Sequence, residues 1–335
     1  MLLASLLLPC VTNAHHSYAP FDDTRVVEVE GTLVDVDWQN PHVHLTVEIL
    51  EAGERRVTWD VETVGLNQLQ RLRVPLDVYR EGQRVKLAGW PARRPAGPRL
   101  YATNLLSADG QEVVLWRTAS LRWAATGFGY TDRTQFGGGG PTDSKTLFRV
   151  WTSDYDDPDA GPASLFGRTA LPYNEVGRAA AAAFDPVTDT ATVGCTPKGM
   201  PQIMAQPMPI ELIDRGDAIL IRLEEYDTLR TIHMNPASSP ASAEHTRLGH
   251  SVGRWVGETL DVETTGVSAQ YLSQRGQPLS VAAHLRERFT VSADGSRLHY
   301  LLTVTDPENY TAPFDVRRSW IWRPGERVMR FDCAE

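Results

Sequence analysis

Cysteine is scarce in this chain, with three in 335 residues. That excludes a cysteine metal cage and a scaffold held by several disulfides. Long apolar runs are missing too, and no stretch of about 18 apolar residues exists to cross a bilayer as a helix. Basic residues are in deficit, 33 Lys plus Arg against 42 Asp plus Glu, for a net charge of −9. That balance argues against nucleic acid or an anionic membrane as partner. Glycine and proline, at 26 and 22 residues, are by contrast plentiful. They break the chain into short Val/Thr/Leu/Tyr runs, the pattern of strands and turns. The length accommodates two domains of about 100–200 residues each.

The first fourteen residues, MLLASLLLPCVTNA, stand apart. Leu2 to Val11 is an apolar core of signal-peptide length, and Thr12-Asn13-Ala14 is a small-x-small cleavage site. Residues 1–14 are therefore expected to be an export signal, and the mature chain periplasmic or secreted. Proline before Cys10 argues against a lipoprotein cysteine. Cleavage after Ala14 leaves Cys195 and Cys333, for which one disulfide is feasible in an oxidising compartment.

Residues 15–116 read as a small OB-like β barrel. "VVEVEGTLVDVDW" alternates into Val34, Val36 and Trp38, and "HVHLTVEIL" sets Val43, Leu45, Val47 and Ile49 against His42, His44, Thr46 and Glu48. Further strands are "RRVTWDVET" and "QRVKLAGWPA", and Leu66, Leu69 and Leu72 carry helical spacing. Strands around one short helix suggest the OB arrangement. Residues 117–170 have connector composition. Gly137 to Gly140 lack the Lys-Ser/Thr of a phosphate-binding loop, so a linker is the better reading. Residues 171–335 open with a short helix, "NEVGRAAAAAF". Strand-like runs follow near 189–195, 217–225, 229–234, 252–265, 285–292, 297–305, 314–323 and 327–332. The fold class is all-β, the second unit being a larger antiparallel barrel or sandwich of lipocalin-like type.

Two chemistries are legible. His42 and His44 are two apart on a strand, so both side chains leave the face opposite Val43 and Leu45. A lone H-x-H is ordinarily a surface pair. The opening "AHHS" changes that weighing, because cleavage after Ala14 makes His15 the N-terminus. A terminal histidine offers its α-amine and ring Nδ1 to one ion, and a further imidazole from His42, His44 or His16 completes a three-nitrogen histidine brace. Such donors suit copper, and an α-amine with pKa of about 8 deprotonates readily. In the second unit, Glu225, Arg230, His233, His250 and Asp261 are candidate pocket residues, with Glu225 or His250 as general base. Paired Glu and Arg forming structural networks is the commoner case. "GHSVG", Gly249 to Gly253, matches G-x-S-x-G literally, but a strand-like run follows where a nucleophile elbow needs a helix. A tight turn is the better reading there than a Ser251 nucleophile. Trp255, Trp320 and Trp322 either pack the core or stack on a sugar.

With "AHHSYAPFD", "GTLVDVDWQNPHVHL" and "GQRVKLAGWPA", the first third of the chain resembles an uncharacterised family of exported bacterial proteins. Its pattern falls on Ala14, His15, His16, Ser17, Phe21, Asp22, Gly31, Trp38, Asn40, Pro41 and His42. His44 lies outside it, so the resemblance favours His42 as ligand. The remainder, with "CTPKGMP", "EEYDTLRTIHM" and "GHSVGRWVGETLDVETTG", resembles a second set of uncharacterised secreted bacterial proteins. Val256-Gly257-Glu258 stand where that set usually has Glu-Gly-Asp. Neither resemblance implies a reaction.

The leading expectation is an exported copper-binding protein with a ligand pocket in its second unit, the copper either activating oxygen or simply held. The alternative is a metal-free periplasmic enzyme or binder. It would act on a carbohydrate or aromatic small molecule through the second barrel.

Overall fold

The structure is a computed structural model. It describes residues 18, 20–51, 55–94, 97–131, 138–143, 146–154, 157, 170–189, 195–235, 237 and 244–333. Alternating apolar residues and turn-forming glycines produce an almost entirely β chain with two barrels in sequence.

The first barrel contains β1 (Val27–Asp37), β2 (His44–Leu50), β3 (Arg56–Glu62), β4 (Arg84–Pro91) and β5 (Arg99–Ser107). Antiparallel pairings join β1 to β2 and β4, β2 to β3, and β4 to β5; a parallel β3–β5 pairing closes the ring. A helix, α1 (Leu66–Arg71), sits between β3 and β4. This is the OB arrangement expected from sequence. Val43, Leu45, Val47, Val61, Leu69, Leu87 and Leu105 are fully buried in its core, each such side chain contributing about 1.5–3 kcal/mol by transfer out of water. Two short strands, β6 (Glu112–Val114) and β7 (Gly127–Gly129), extend the sheet beyond β5.

The face of β1 differs from the reading above. Leu33 is fully buried while Val34 is 43 % exposed and Trp38 37 % exposed. Apolar residues occupy both phases of this strand, and a bulge between Leu33 and Asp35 shifts its register against β2. Val34 and Trp38 thus lie outside the core, while beyond the bulge Val36, opposite the buried Leu45, packs against it as alternation predicts. Trp38 packs edge-on against Tyr79 at 5.4 Å instead of entering the barrel.

The second barrel closes through nine strands. In chain order they are β8 (Val150–Ser153), β9 (Ile210–Asp214), β10 (Ala218–Leu223), β11 (Thr228–His233), β12 (His250–Val256), β13 (Thr259–Thr265), β14 (His284–Val291), β15 (Arg297–Thr305) and β16 (Phe314–Ile321). β8, from the segment read as connector, pairs with both β16 and β9 and completes the ring. The short helix expected at "NEVGRAAAAAF" is α2 (Glu175–Ala183), capped by the Asn174 side chain on the Gly177 N–H. The run 252–265 is two strands folded at Gly257, whose φ is +61°. Residues 190–194 of the run near 189–195 lie outside the described residues.

Residues 327–332 form no strand. The tail crosses back to the first barrel instead. Asn67 donates to the Arg330 carbonyl at 2.9 Å, Cys333 bridges to Asn40, and Cys333 is disulfide-bonded to Cys195. Arg71 of α1 meets Glu224 and Glu326, and Glu224, fully buried, also accepts from the Met329 N–H at 2.8 Å. Among the described residues, no helix is long and apolar enough to cross a membrane.

Candidate metal centre

Burial of Val43, Leu45 and Val47 turns His42 and His44 outward at the start of β2. Strand register then brings chemistry to the same face. His44 lies opposite Glu62 and Thr46 opposite Asp60; in the parallel pairing, Asp60 lies opposite Arg99 and Glu62 opposite Tyr101. Three strands thus converge on one surface, and the H-x-H of β2 faces a D-x-E of β3.

His42 Nδ1 is 2.9 Å from Glu62 Oε2, and the Glu62 side chain is 1 % exposed. Arg99 donates through Nη2 to Glu62 Oε1 at 2.5 Å and through Nε to Asp60 Oδ2 at 2.9 Å. His44 Nδ1 stands 3.5 Å from Asp60 Oδ1, at the outer limit for a hydrogen bond. Burial alone would lower the His44 pKa, but the Asp60 contact and the charges of Glu62, Asp60 and Asp37 outweigh it and raise it. For Asp60, burial pushes upward, and the contacts with His44 and Arg99 bring its pKa below the usual carboxylate value. Ligand atoms of His44, Asp60 and Glu62 lie within 4.8 Å of one another.

Two carboxylates against one guanidinium leave one negative charge in excess when both imidazoles are neutral, a balance that favours a further cation. Arg99 already occupies the carboxylate oxygens, so an ion seated among them would have to displace it. The imidazoles are better donors. With Nδ1 of each ring turned to a carboxylate, Nε2 faces away and makes no hydrogen bond among the described residues. A carboxylate behind an imidazole fixes its tautomer and raises its basicity, as behind metal-bound histidines generally. The donor set therefore fits an imidazole-seeking ion such as copper.

An aromatic cluster adjoins His42. Tyr101 lies edge-on to it at 5.4 Å and stacks on Trp90 at 5.7 Å; Phe21 touches Tyr101 at 5.7 Å. Tyr18 contacts Trp90 at 5.9 Å and Trp116 at 5.3 Å. Burial, then the charge of Glu62, pushes the Tyr101 phenol far above its ordinary value, so it stays protonated. His15 and His16 lie outside the described residues.

The candidates in the second unit occupy separate places. Arg230 points into the barrel, 1 % exposed, and donates to Glu287 at 2.9 Å; Glu287 also accepts from Tyr300 at 2.8 Å. Ser251 is buried beside them, 3.0 Å from Arg230, on a strand rather than at a nucleophile elbow. Glu225 lies in a 3-10 turn and pairs with Lys198 at 2.6 Å. His233 and His250 stack on each other at 4.9 Å, and burial, then His233, lowers the His250 pKa. Asp261 pairs with Arg286 at 2.6 Å on the outer face. Trp320 is fully buried in the core, whereas Trp255 is 45 % exposed. The structure thus joins Arg230 to Glu287 and His233 to His250, and does not gather the five residues into one pocket.

Asp60, Glu62, Arg99 and Tyr101 were not singled out from sequence. The signal for two of them was present, since Asp60 and Glu62 alternate against Val57, Trp59 and Val61 as His42 and His44 do against Val43 and Leu45.

Residues 4–98 match a family of unknown function (DUF6152), a stretch that includes His42, His44, Asp60 and Glu62. Among solved structures, a chain of the S. pombe Stn1–Ten1 complex is similar at 14 % identity, covering 25 % of this chain and 57 % of that one, with a TM-score of 0.20. No curated protein matches.

Proposed function

We propose that this is an exported copper-binding protein whose first barrel holds the ion through His42. The remaining nitrogens would come from the α-amine and ring of His15 in the processed chain, with His44 or His16 as alternates. The observation that carries this reading is the His42–Glu62 contact at 2.9 Å, which holds Nδ1 and leaves Nε2 for a ligand bond. The course of the chain supports it. Tyr18 and Phe21 pack on the aromatic cluster that touches His42, and the three residues from His15 to Tyr18 span at most about 11 Å. The strands β2 and β3 and the loops beside them are also where OB barrels commonly take ligands, an analogy at the level of fold. The Cys195–Cys333 disulfide supports an oxidising compartment.

Copper, when bound, supplies one-electron chemistry. The chain's own residues orient it: Glu62 fixes the His42 ring, Arg99 holds Glu62 and Asp60, and Tyr101 with Trp90 walls one side.

The test uses protein purified from a periplasm, with mass spectrometry establishing His15 as first residue. Cu(II) titration followed by EPR should give one ion per chain with nitrogen hyperfine structure. His42→Ala should weaken binding by about 100-fold and Glu62→Gln by about 10-fold. Unchanged affinity in His42→Ala, or equal binding by a chain beginning elsewhere, overturns the proposal.

A further inference from the structure

We propose that the outer face of the second barrel binds a small organic dianion, two acidic groups joined by an apolar spacer. This does not rest on the copper reading. A groove of about 500 Å³ lies over β13 to β16. Leu285, Glu287 and Phe289 of β14 face the barrel interior, as do Tyr300 and Leu302 of β15 and Val316 and Arg318 of β16. The alternation turns Arg288, Leu301 and Arg317 outward, and these three are direct cross-strand neighbours in a single row. At about 4.8 Å between strands, the two arginine Cα atoms stand about 10 Å apart with Leu301 between them. In the neighbouring row His299 lies opposite Thr290, whose hydroxyl is 2.9 Å from that of Thr259. The groove floor is thus cation, apolar, cation, with hydroxyls and an imidazole along one edge.

The acids nearest these arginines make their short contacts with other groups. Asp261, across from Arg288, is taken by Arg286 at 2.6 Å and Arg254 at 3.7 Å. Asp315, next but one to Arg317, keeps its charge but turns to the Thr303 hydroxyl at 2.6 Å and not to the guanidinium. Among the described residues neither Arg288 nor Arg317 has a carboxylate within 4 Å. In a chain of net charge −9, two exposed arginines left over at one groove run against the overall balance. Asp157, held by the Ser319 hydroxyl at 2.9 Å, lines the same groove and repels an acid beside it, which places both acidic groups over the arginine row. Guanidinium forks match carboxylates bidentately, and Leu301 suits a methylene spacer.

Isothermal titration of the full processed chain with succinate, adipate, suberate, hexanoate and inorganic phosphate tests this at low salt. Adipate and suberate should bind, and hexanoate, with one acid, should bind about tenfold more weakly or less. Succinate, too short to clear Leu301, should fall below adipate. Arg288→Gln and Arg317→Gln should each weaken adipate about tenfold, and the double variant should give no heat. Arg254→Gln, whose partner Asp261 keeps Arg286, should bind as the parent does. Because the side chains are exposed, far-UV circular dichroism of all variants should be unchanged. No diacid binding at about 20 mM, phosphate binding as tightly as adipate, or binding retained in the double variant overturns the proposal.

Discussion

Glu62 has one oxygen on His42 and the other on Arg99, and almost none of it meets water. Replacing it with leucine leaves Arg99 with Asp60 alone. Breaking such a pair from one side costs more than removing both partners. Because Arg99 is partly open to solvent, we expect Glu62→Leu to lower unfolding stability by about 2 kcal/mol. Glu62→Leu with Arg99→Met should recover part of that in denaturant titrations of the metal-free protein. A second residue gives a pH signature. In the β14–β15 hairpin, the Asp294 carboxyl accepts from the Ser292 hydroxyl and from the Ser296 N–H and hydroxyl, which hold its pKa down to about 2. A folded-state pKa below the unfolded value means that ionised Asp294 favours the folded chain. Its contribution is complete above about pH 4 and disappears as pH falls through about 2. Asp294→Asn should therefore melt below the parent near neutral pH and converge with it near pH 2, and an NMR titration should place the Asp294 midpoint near 2.

At the scale of elements, β4 and β5 show how backbone geometry constrains sequence. A bulge lies between Ala88 and Gly89, and a methyl on Gly89 would overlap the Tyr101 carbonyl oxygen. Gly89→Ala should cost about 2 kcal/mol or more. The thermal midpoint checks this, and because Tyr101 lines the candidate metal centre, copper affinity should fall with it. Much at this level was legible beforehand. The H-x-H of β2, helix α1 and the Asp-Gly turns all follow from local pattern. Their side chains have one buried phase or one required φ. β1 was misread because the bulge after Leu33 changes its phase, so that Leu33 and Val36 face the core while Val34 and Trp38 do not. β8 was hidden because four residues inside a glycine-rich and acidic stretch carry no periodicity. Asp60 and Glu62 join the histidines through pairing between strands, which sequence spacing does not display.

For the whole molecule, the salient feature is the contact between the barrels. Arg71 of the first enters a pair of acids, Glu224 and Glu326, belonging to the second, and the tail to Cys333 lies across both. The disulfide closes a loop of 138 residues, for which chain-entropy reasoning gives about 5 kcal/mol. Cys195→Ala with Cys333→Ala should lower the unfolding free energy by roughly 3–5 kcal/mol in denaturant titrations. With the disulfide gone, Arg71→Met should separate one unfolding transition into two, one per barrel. A single sharp transition in that variant would show the barrels coupled by other means. Legibility was weakest at this scale. The two thiols were visible, but their meeting depends on a tail that the sequence suggested was a strand of the second barrel.

The clasp also orders the chain's assembly. Cys195 precedes β9 to β16, and Cys333 follows them all. During synthesis from the N-terminus, Cys195 waits for Cys333 until eight strands have been made. A chain that stops short of Cys333 leaves Cys195 without this partner, so thiol labelling at 195 distinguishes finished molecules from unfinished ones.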